Sequence, residues 1–278
     1  MGNVVNRDLL DQVIAISVAA GEAILEVYNA SGEIEVDTKS DDSPVTAADL
    51  AAHKILAPAL EKLLKDVPVL SEEGEMPTFE QRSQWDRYWI IDPLDGTKEF
   101  IRRNGEFTVN VALIENGEPV LGVVHVPVLD ITYAGAKSLG AFKRDSGGET
   151  PISVRAMGPR LEAKQAIEVV ASRSHGAGAV DALLSRIEGS LGETGLKNMG
   201  SSLKLCLVAE GAADLYPRLA PTCEWDTAAA QAVVEAAGGI VVDDKFALLR
   251  YNQKEELLNP FFYVIGDRDF DWKSLLLG

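Results

Sequence analysis

Two aspartates follow a run of apolar residues in the first half of the chain, and their spacing suits metal chemistry. The apolar run at 88–91 predicts a buried strand that ends at a turn. Asp92 and Asp95 come directly after it. Pro93 fixes its own φ and favours an extended Asp92, while Gly96 permits a sharp turn. Both carboxylates can therefore converge at the strand end, although a plain turn with a capping aspartate accounts for the same Asp-Gly pair.

Oxygen atoms next to these aspartates extend the set of donors. The Leu94 carbonyl lies between the two carboxylates in the sequence, and the Thr97 hydroxyl follows them. Oxygen-only ligands suit Mg²⁺ or Mn²⁺ rather than zinc. Such cations lower the pKa of a bound water, neutralise phosphoryl oxygens and stabilise a leaving alkoxide. Hydrolysis of a phosphate monoester requires all three effects.

Acidic residues at three other positions could join this set. Thr46 and Asp49 have the spacing of a capping box at the start of a helix, a place that also favours anions. Glu72 follows a short apolar strand at 67–70, where a solvated acidic turn is the alternative. Asp226 precedes an alanine-rich helix, for which it could be a plain N-cap. The four carboxylates of Glu72, Asp92, Asp95 and Asp226 would repel one another strongly if they lay close together, which favours a bound cation.

Four segments resemble a known family. The loop Ile-Asp-Pro-Leu-Asp-Gly-Thr at 91–97 resembles the signature of the Mg²⁺-dependent, lithium-sensitive phosphatase superfamily that includes inositol monophosphatase. Val-Thr-Ala-Ala-Asp at 45–49, and Trp-Asp at 225–226 before the alanine-rich helix, resemble two further parts of its pattern. Lys-Glu-Phe at 98–100 is similar to the branch that hydrolyses 3′(2′),5′-bisphosphate nucleotides. The resemblance extends from the first helix to about residue 261.

The resemblance implies a role for each of these residues. Metals are held by Glu72, Asp92, the Leu94 carbonyl, Asp95 and Asp226. Glu72 and Thr97 orient and activate the attacking water, and Asp49 tunes the outer metal shell through Thr46. Phosphate and nucleotide are bound by Asp95, Gly96, Thr97, His175, Ser201, Lys204, Arg218 and Asp226. Ser201 could instead be an ordinary helix cap, and Lys204 and Arg218 could be surface charges.

Composition narrows the class of partner. The formal net charge of the 278 residues is −17, which argues against a nucleic-acid polymer or an anionic membrane as the main partner. An anionic small molecule as substrate therefore needs local cations. Cys206 and Cys223 are the only cysteines, so a disulfide framework and structural zinc are not expected, and a reducing cytoplasm is the expected compartment.

Membrane attachment is not required by the sequence. Residues 1–11 lack the apolar core of a signal peptide, and no apolar stretch reaches the length of a membrane span. Peripheral attachment to the inner face of the membrane is known for the family that the sequence resembles, but nothing in the acidic composition demands it. The sequence gives no oligomeric state.

The elements that must position these residues differ between the two halves of the chain. Helical patterns at 6–29 and 46–64, followed by strands from 107 to 143, predict an α+β half over residues 1–150. Strands that alternate with helices from residue 167 predict an α/β half over 151–278, which carries Asp226. The resemblance implies a layered αβαβα sandwich of the inositol monophosphatase/fructose-1,6-bisphosphatase type. Residues 143–166 and 188–198 fit no pattern.

The implied activity is Mg²⁺-dependent hydrolysis of adenosine 3′,5′-bisphosphate to AMP and phosphate, with two or three Mg²⁺ ions (or Mn²⁺) and in-line attack of water. The resemblance also implies action on the sulfated precursor nucleotide of sulfate assimilation. An inositol or sugar phosphate phosphatase on the same scaffold is the alternative. A metal-dependent nucleotide sensor without catalysis is a second alternative, against which the complete set of Glu72, Thr97 and Asp226 argues.

Overall fold

A computed structural model describes residues 4–30, 35–38, 44–171 and 177–277 of the chain. The α-helices within those ranges are α1 Arg7–Tyr28, α2 Ala47–Leu63, α3 Phe79–Arg82, α4 Thr97–Ile101, α5 Met157–Glu162, α6 Ala177–Leu191, α7 Leu203–Ala209, α8 Ala228–Ala236 and α9 Trp272–Leu277. The strands are β1 Val36–Thr38, β2 Pro44–Thr46, β3 Val69–Ser71, β4 Arg87–Asp95, β5 Thr108–Glu115, β6 Glu118–Val126, β7 Ile131–Ala136, β8 Gly140–Asp145, β9 Gly148–Ile152, β10 Ile167–Ala171, β11 Thr194–Asn198, β12 Leu215–Arg218, β13 Ile240–Asp243 and β14 Phe262–Ile265.

Two large sheets organise these strands. A seven-stranded sheet has the order β3-β4-β5-β6-β7-β8-β9, in which β3 and β4 are parallel and the other neighbours antiparallel. A five-stranded mixed sheet has the order β11-β10-β12-β14-β13. Strands β5 and β6 form a hairpin, in which Asn116 and Gly117 both adopt the positive φ that a two-residue turn of this type needs.

Three apolar cores separate the layers. One lies between α1, α2 and the outer face of the seven-stranded sheet, as for Leu10, Leu56 and Val111. The second lies between the two sheets around α7 and α8, and the third joins α6 and α9 to the far face of the five-stranded sheet. Side chains on β5 alternate accordingly, with Val111 in the outer core and Ala112 in the middle one. The layered αβαβα sandwich is therefore present.

Helix α8 rests directly on the seven-stranded sheet. A Cβ atom on Gly122 of β6 would lie 2.1 Å from the Ala229 carbonyl oxygen, and one on Gly135 of β7 would lie 3.0 Å from the Ala236 Cβ. The approach therefore requires glycine on the strands and favours alanine on the helix. This contact fixes the helix that follows Asp226 against the sheet that carries Asp92.

Most of the predicted elements are observed, and two segments without a pattern contain structure. Residues 143–166 include β9 and α5, and residues 188–198 include β11, which pairs in parallel with β10. The alternation of apolar and polar residues at 33–38 predicts a short strand, of which residues 36–38 are observed as strand, while residues 33 and 34 lie outside the described ranges. The division of the chain at residue 150 stays a prediction. No helix of the described residues is both long and apolar enough to cross a membrane.

Candidate active site

A bulge at the end of β4 determines where the two aspartates point. Asp92 pairs with Asn110 and Asp95 with Thr108, so β4 uses three steps where β5 uses two. In a regular strand, residues three apart face opposite sides of the sheet. The extra residue reverses the alternation, so that Leu94 packs in the outer core while Asp95 hydrogen-bonds to Asn110 on the same side as Asp92.

Glu72 and Asp226 join Asp92 at this point. Glu72 follows β3, where its N–H donates to the Ile91 carbonyl over 3.2 Å. Asp226 ends a short 3₁₀ turn, and its Oδ2 accepts from the Cys223 N–H over 2.8 Å. One carboxylate oxygen from each of Glu72, Asp92 and Asp226 lies within 4.8 Å of the others. Three converging hard oxygen donors fit Mg²⁺.

Burial gives these carboxylates unusual proton affinities. Burial, followed by the charges of Glu72, Asp95 and Asp226, raises the pKa of Asp92 well above its ordinary value. Burial and the charge of Asp95 raise the pKa of Asp226 to about 8. The pKa of Asp95 is also raised by burial, although the Lys204 charge opposes the shift. A divalent cation would stabilise the ionised carboxylates and displace their protons.

Thr46, Asp49 and Thr97 form a hydrogen-bonded relay beside the carboxylates. The capping box predicted at the start of α2 is confirmed, because Asp49 Oδ2 accepts from the Thr46 N–H over 2.8 Å and from its hydroxyl over 2.6 Å. Asp49 Oδ1 accepts from the Thr97 hydroxyl over 3.2 Å. Burial raises the pKa of Asp49. The relay therefore fixes the Thr97 hydroxyl and leaves its oxygen free to accept another hydrogen bond.

The backbone between Asp92 and Thr97 is tightly constrained. The Leu94 N–H donates to Asp92 Oδ1 over 3.0 Å, so the carboxylate and the bulge hold each other. Gly96 precedes α4 with φ of +97°, and a Cβ atom there would lie 3.2 Å from the Glu106 carbonyl oxygen. Glycine is required on both counts. Metal binding by the Leu94 carbonyl and phosphate binding at Gly96 stay predictions.

A pocket of about 300 Å³ opens over this site. We call the group of four carboxylates Glu72, Asp92, Asp95 and Asp226 the acidic floor, of which Asp95 and Asp226 line the pocket. We call the basic side chains that line the pocket the cationic wall, which consists of Lys98, Arg102, Lys204 and Arg218. The pocket lining also includes Gly96 and Ser201, whereas Thr46, Asp49 and Thr97 lie behind it. His175 is outside the described residues.

Two residues of the cationic wall, Lys204 and Arg218, donate hydrogen bonds to backbone carbonyls. Lys204 is only 8 % exposed, so it is not a surface charge, and its ammonium donates to the Ser201 carbonyl over 2.5 Å. Arg218 donates to the Ala220 and Pro221 carbonyls over 3.2 and 2.9 Å. Burial lowers the pKa of Lys204 to about 8, and the Asp95 charge opposes the shift. Neither side chain forms an ion pair within 4.0 Å in the described part of the chain.

Two capping alternatives differ from what the structure shows. Ser202, not Ser201, occupies the N-cap position of α7 and makes no side-chain capping hydrogen bond, although Ser201 Oγ accepts from the Leu203 N–H over 3.5 Å. Thr227, not Asp226, occupies the N-cap position of α8. The sequence reading missed Thr108, Asn110 and Ser202, which are buried beside Asp95. Polar residues at alternate positions of an otherwise apolar strand were the available signal.

The fold and the acidic floor together define a metal-dependent phosphatase architecture. The family model described as the inositol monophosphatase family matches residues 6–260, and the chain belongs to the inositol monophosphatase family. Metal dependence, typically on Mg²⁺, is general in this family, and the acidic cluster agrees with it.

Similar proteins point to one branch. The chain is 50 % identical over 256 residues to the 3′(2′),5′-bisphosphate nucleotidase CysQ of Escherichia coli K12, covering 92 % of this chain and 99 % of that protein. It is 37 % identical over 277 residues to the Haemophilus influenzae protein of the same name, covering 97 % of each. The crystal structure of CysQ from Bacteroides thetaiotaomicron matches with a TM-score of 0.83 and 40 % identity, covering 96 % of this chain and all of that one. The inositol monophosphatase from Anabaena matches with a TM-score of 0.73 and 25 % identity, covering 98 % of this chain and 95 % of that one.

Proposed function

We propose that this protein is a Mg²⁺-dependent phosphatase that converts adenosine 3′,5′-bisphosphate to AMP and phosphate, in sulfate assimilation and nucleotide recycling. One observation carries the proposal: Asp226, whose carboxylate clusters with those of Glu72 and Asp92 in the geometry of a cation site, lines the same pocket as the basic side chains of the cationic wall. Relatives that share up to half of the sequence are 3′(2′),5′-bisphosphate nucleotidases. The sulfated precursor nucleotide, which carries the same 3′-phosphate, is a second proposed substrate.

The side chains divide the reaction between them. Glu72, Asp92 and Asp226 would hold the cations with Asp95 and the Leu94 carbonyl, and bound Mg²⁺ would supply charge neutralisation and a more acidic water. The Thr97 hydroxyl, which donates to Asp49, accepts a hydrogen bond from the attacking water and orients it with Glu72. The water oxygen bonds to phosphorus as the bond from phosphorus to O3′ breaks, and a proton passes to O3′.

The cationic wall supplies recognition of the rest of the nucleotide. Lys204 and Arg218 place charge where an anionic substrate enters a protein with a net charge of −17. Ser201 offers a hydroxyl on the same side, and His175 is proposed to join them. Inositol 1-phosphate has only one phosphate, so it cannot use both the floor and the wall in the same way.

The cofactor is proposed to be two or three Mg²⁺ ions, with Mn²⁺ as a substitute, and Li⁺ as an inhibitor. We also propose that residues 1–150 provide most of the metal ligands and residues 151–278 provide Asp226 and the recognition residues. The cytoplasmic location stays a prediction from the cysteine content.

Phosphate release from a panel of substrates tests the proposal. With Mg²⁺, adenosine 3′,5′-bisphosphate should be hydrolysed with a higher kcat/KM than inositol 1-phosphate, and Li⁺ should inhibit. A higher kcat/KM for inositol 1-phosphate would establish the alternative phosphatase. Binding of the bisphosphate without any phosphate release, in the wild type as in Asp92→Asn, would establish a sensor.

A further inference from the structure

A buried hydrogen-bond network connects the acidic floor to the turn before α7. Asn110 Nδ2 donates to Asp95 Oδ2 over 3.3 Å, and the Ser202 hydroxyl donates to Asn110 Oδ1 over 2.8 Å. The Ser202 backbone N–H donates to the same Asp95 oxygen over 2.5 Å. One asparagine therefore bonds both to a predicted metal ligand and to the turn that precedes Lys204.

The Thr108 hydroxyl completes the network. It lies 3.1 Å from Asn110 Oδ1 and 2.9 Å from the Ser202 hydroxyl oxygen. Thr108, Asn110 and Ser202 are 0 %, 1 % and 2 % exposed. Water cannot replace a lost partner at such depth without rearrangement, so removal of one group disturbs the others.

The far end of the network is a turn with a strained conformation. Ser201 has φ of +45°, in a region that residues other than glycine seldom adopt. Its carbonyl accepts from the Lys204 ammonium. Because the neighbouring Ser202 is bonded to Asp95 and Asn110, those two side chains help to hold the turn in this shape.

We propose that Asn110 is a positioning residue that couples cation binding at Asp95 to nucleotide binding at the turn 200–204. A cation that orders the Asp95 carboxylate also orders its bonds to Asn110 and Ser202, and these hold the turn that carries Lys204. A nucleotide bound at Lys204 stabilises the same bonds from the other end, because coupling between two sites is reciprocal. The inference rests on the proposed function, since it takes the ligand of the turn to be a nucleotide.

Isothermal titration calorimetry of AMP, with and without Mg²⁺, tests the coupling. AMP lacks the 3′-phosphate that is proposed to bind at the cation site, so the part of the effect that depends on Asn110 is transmitted by the protein. In the wild type Mg²⁺ should tighten AMP binding by about fivefold or more. This factor should fall below about twofold in Asn110→Ala and to an intermediate value in Thr108→Val, because that variant removes only one hydroxyl.

Thr132→Val is the matched control. Thr132 is a buried threonine of the same sheet, 4 % exposed, and its hydroxyl lies 2.9 Å from His125 Nδ1 and outside the network. This variant should keep the wild-type factor, and a loss as large as in Thr108→Val would overturn the proposal. If Asn110→Ala does not fold, the isosteric Thr108→Val decides the question.

Phosphate release from adenosine 3′,5′-bisphosphate is measured alongside to separate the two proposals. A wild type without release overturns the proposed function, and the nucleotide coupling with it. An active wild type in which Mg²⁺ leaves AMP affinity unchanged overturns the coupling alone. The same conclusion follows if the variants keep the full wild-type factor.

Discussion

Two almost fully buried aspartates in this protein have opposite surroundings. Asp214, next to β12, is 1 % exposed and accepts from Arg155 Nε over 2.6 Å and Nη2 over 2.7 Å, with Arg160 Nε 3.3 Å away. Asp92 is also 1 % exposed, but it accepts from the Leu94 N–H and lies beside other carboxylates. Among the described residues, no Lys or Arg pairs with it.

The contrast separates the Asp214 carboxylate, which has a structural role, from the Asp92 carboxylate, which is suited to bind a cation. Burying a carboxylate is costly unless a cation compensates it. For Asp214 the cations are the guanidinium groups of Arg155 and Arg160. Asp92 has no such partner among the described residues, so its charge must be compensated by a bound cation or removed by a proton.

The largest effect is expected for Asp92→Asn. Loss of one charged cation ligand should lower kcat by about 10³-fold, since cation stabilisation of the transition state is worth several kcal/mol. Thermal stability without metal should not fall, because the substitution replaces a buried carboxyl group whose ionisation burial disfavours. Kinetics with saturating Mg²⁺ and a melting curve measure both. The exposed Asp181→Asn is the control, and a kcat within tenfold of wild type would remove Asp92 from the cation site.

Asp214→Asn should show the reverse pattern. It leaves two arginines against a neutral side chain, and breaking a buried ion pair costs about 3–5 kcal/mol. Denaturant unfolding should record that loss, while kcat per folded molecule at low temperature stays within about twofold of wild type, since Asp214 is not among the residues that line the pocket. A fall in kcat as large as that of Asp92→Asn would show that the two aspartates do not differ as described.

Lys204→Gln tests the contribution of the cationic wall to substrate binding separately from that of the acidic floor. KM for adenosine 3′,5′-bisphosphate should rise by about 30-fold, because a charge-assisted contact contributes about 2 kcal/mol, while kcat falls less than about threefold. KM for a substrate with a single phosphate should change less. Lys245→Gln, on the exposed turn after β13, is the control for loss of one positive charge. An unchanged KM would place the second phosphate elsewhere.

The smallest expected effect is a pH dependence of the thermal stabilisation by Mg²⁺. The folded-state pKa of Asp226 is raised to about 8 from an ordinary 3.8, so the proton it holds stabilises the metal-free fold at low pH. That contribution is lost as the pH rises through about 8. Mg²⁺ replaces the proton, so the rise in Tm on adding Mg²⁺ should be about 4 °C larger at pH 8.5 than at pH 5.5. Asp226→Asn should reduce that difference, and a part should remain because burial also raises the pKa values of Asp92 and Asp95. Equal shifts at both pH values in the wild type would contradict the prediction.

Local spacing made part of this site readable from the sequence. The capping box of Thr46 and Asp49 depends on residues three apart, so its geometry follows from the helix itself. The candidate oxygen donors were also readable, because the loop at 91–97 concentrates them next to a strand that is apolar enough to be recognised.

The other features of the site depend on pairing between residues that are far apart in the sequence. The bulge that turns Asp95 towards Asn110 is a property of the register between β4 and β5, which no local pattern encodes. The Ser202 hydroxyl lies beside Asn110 although 92 residues separate them in the chain, so no local pattern indicated that the two side chains meet. Strand β11 was missed because it is half-exposed and carries Thr, Gly and Lys in place of an apolar run.

The close packing of α8 on Gly122 and Gly135 limits which halves of related proteins could be combined in a chimera. A chimera that joins residues 151–278 to another first half would need glycine at the positions of Gly122 and Gly135, since any larger residue would lift the helix. The lift would displace the turn before α8, and Asp226 with it. Compatibility between halves should therefore depend on two residues far from the pocket, which a comparison of pocket residues alone would overlook.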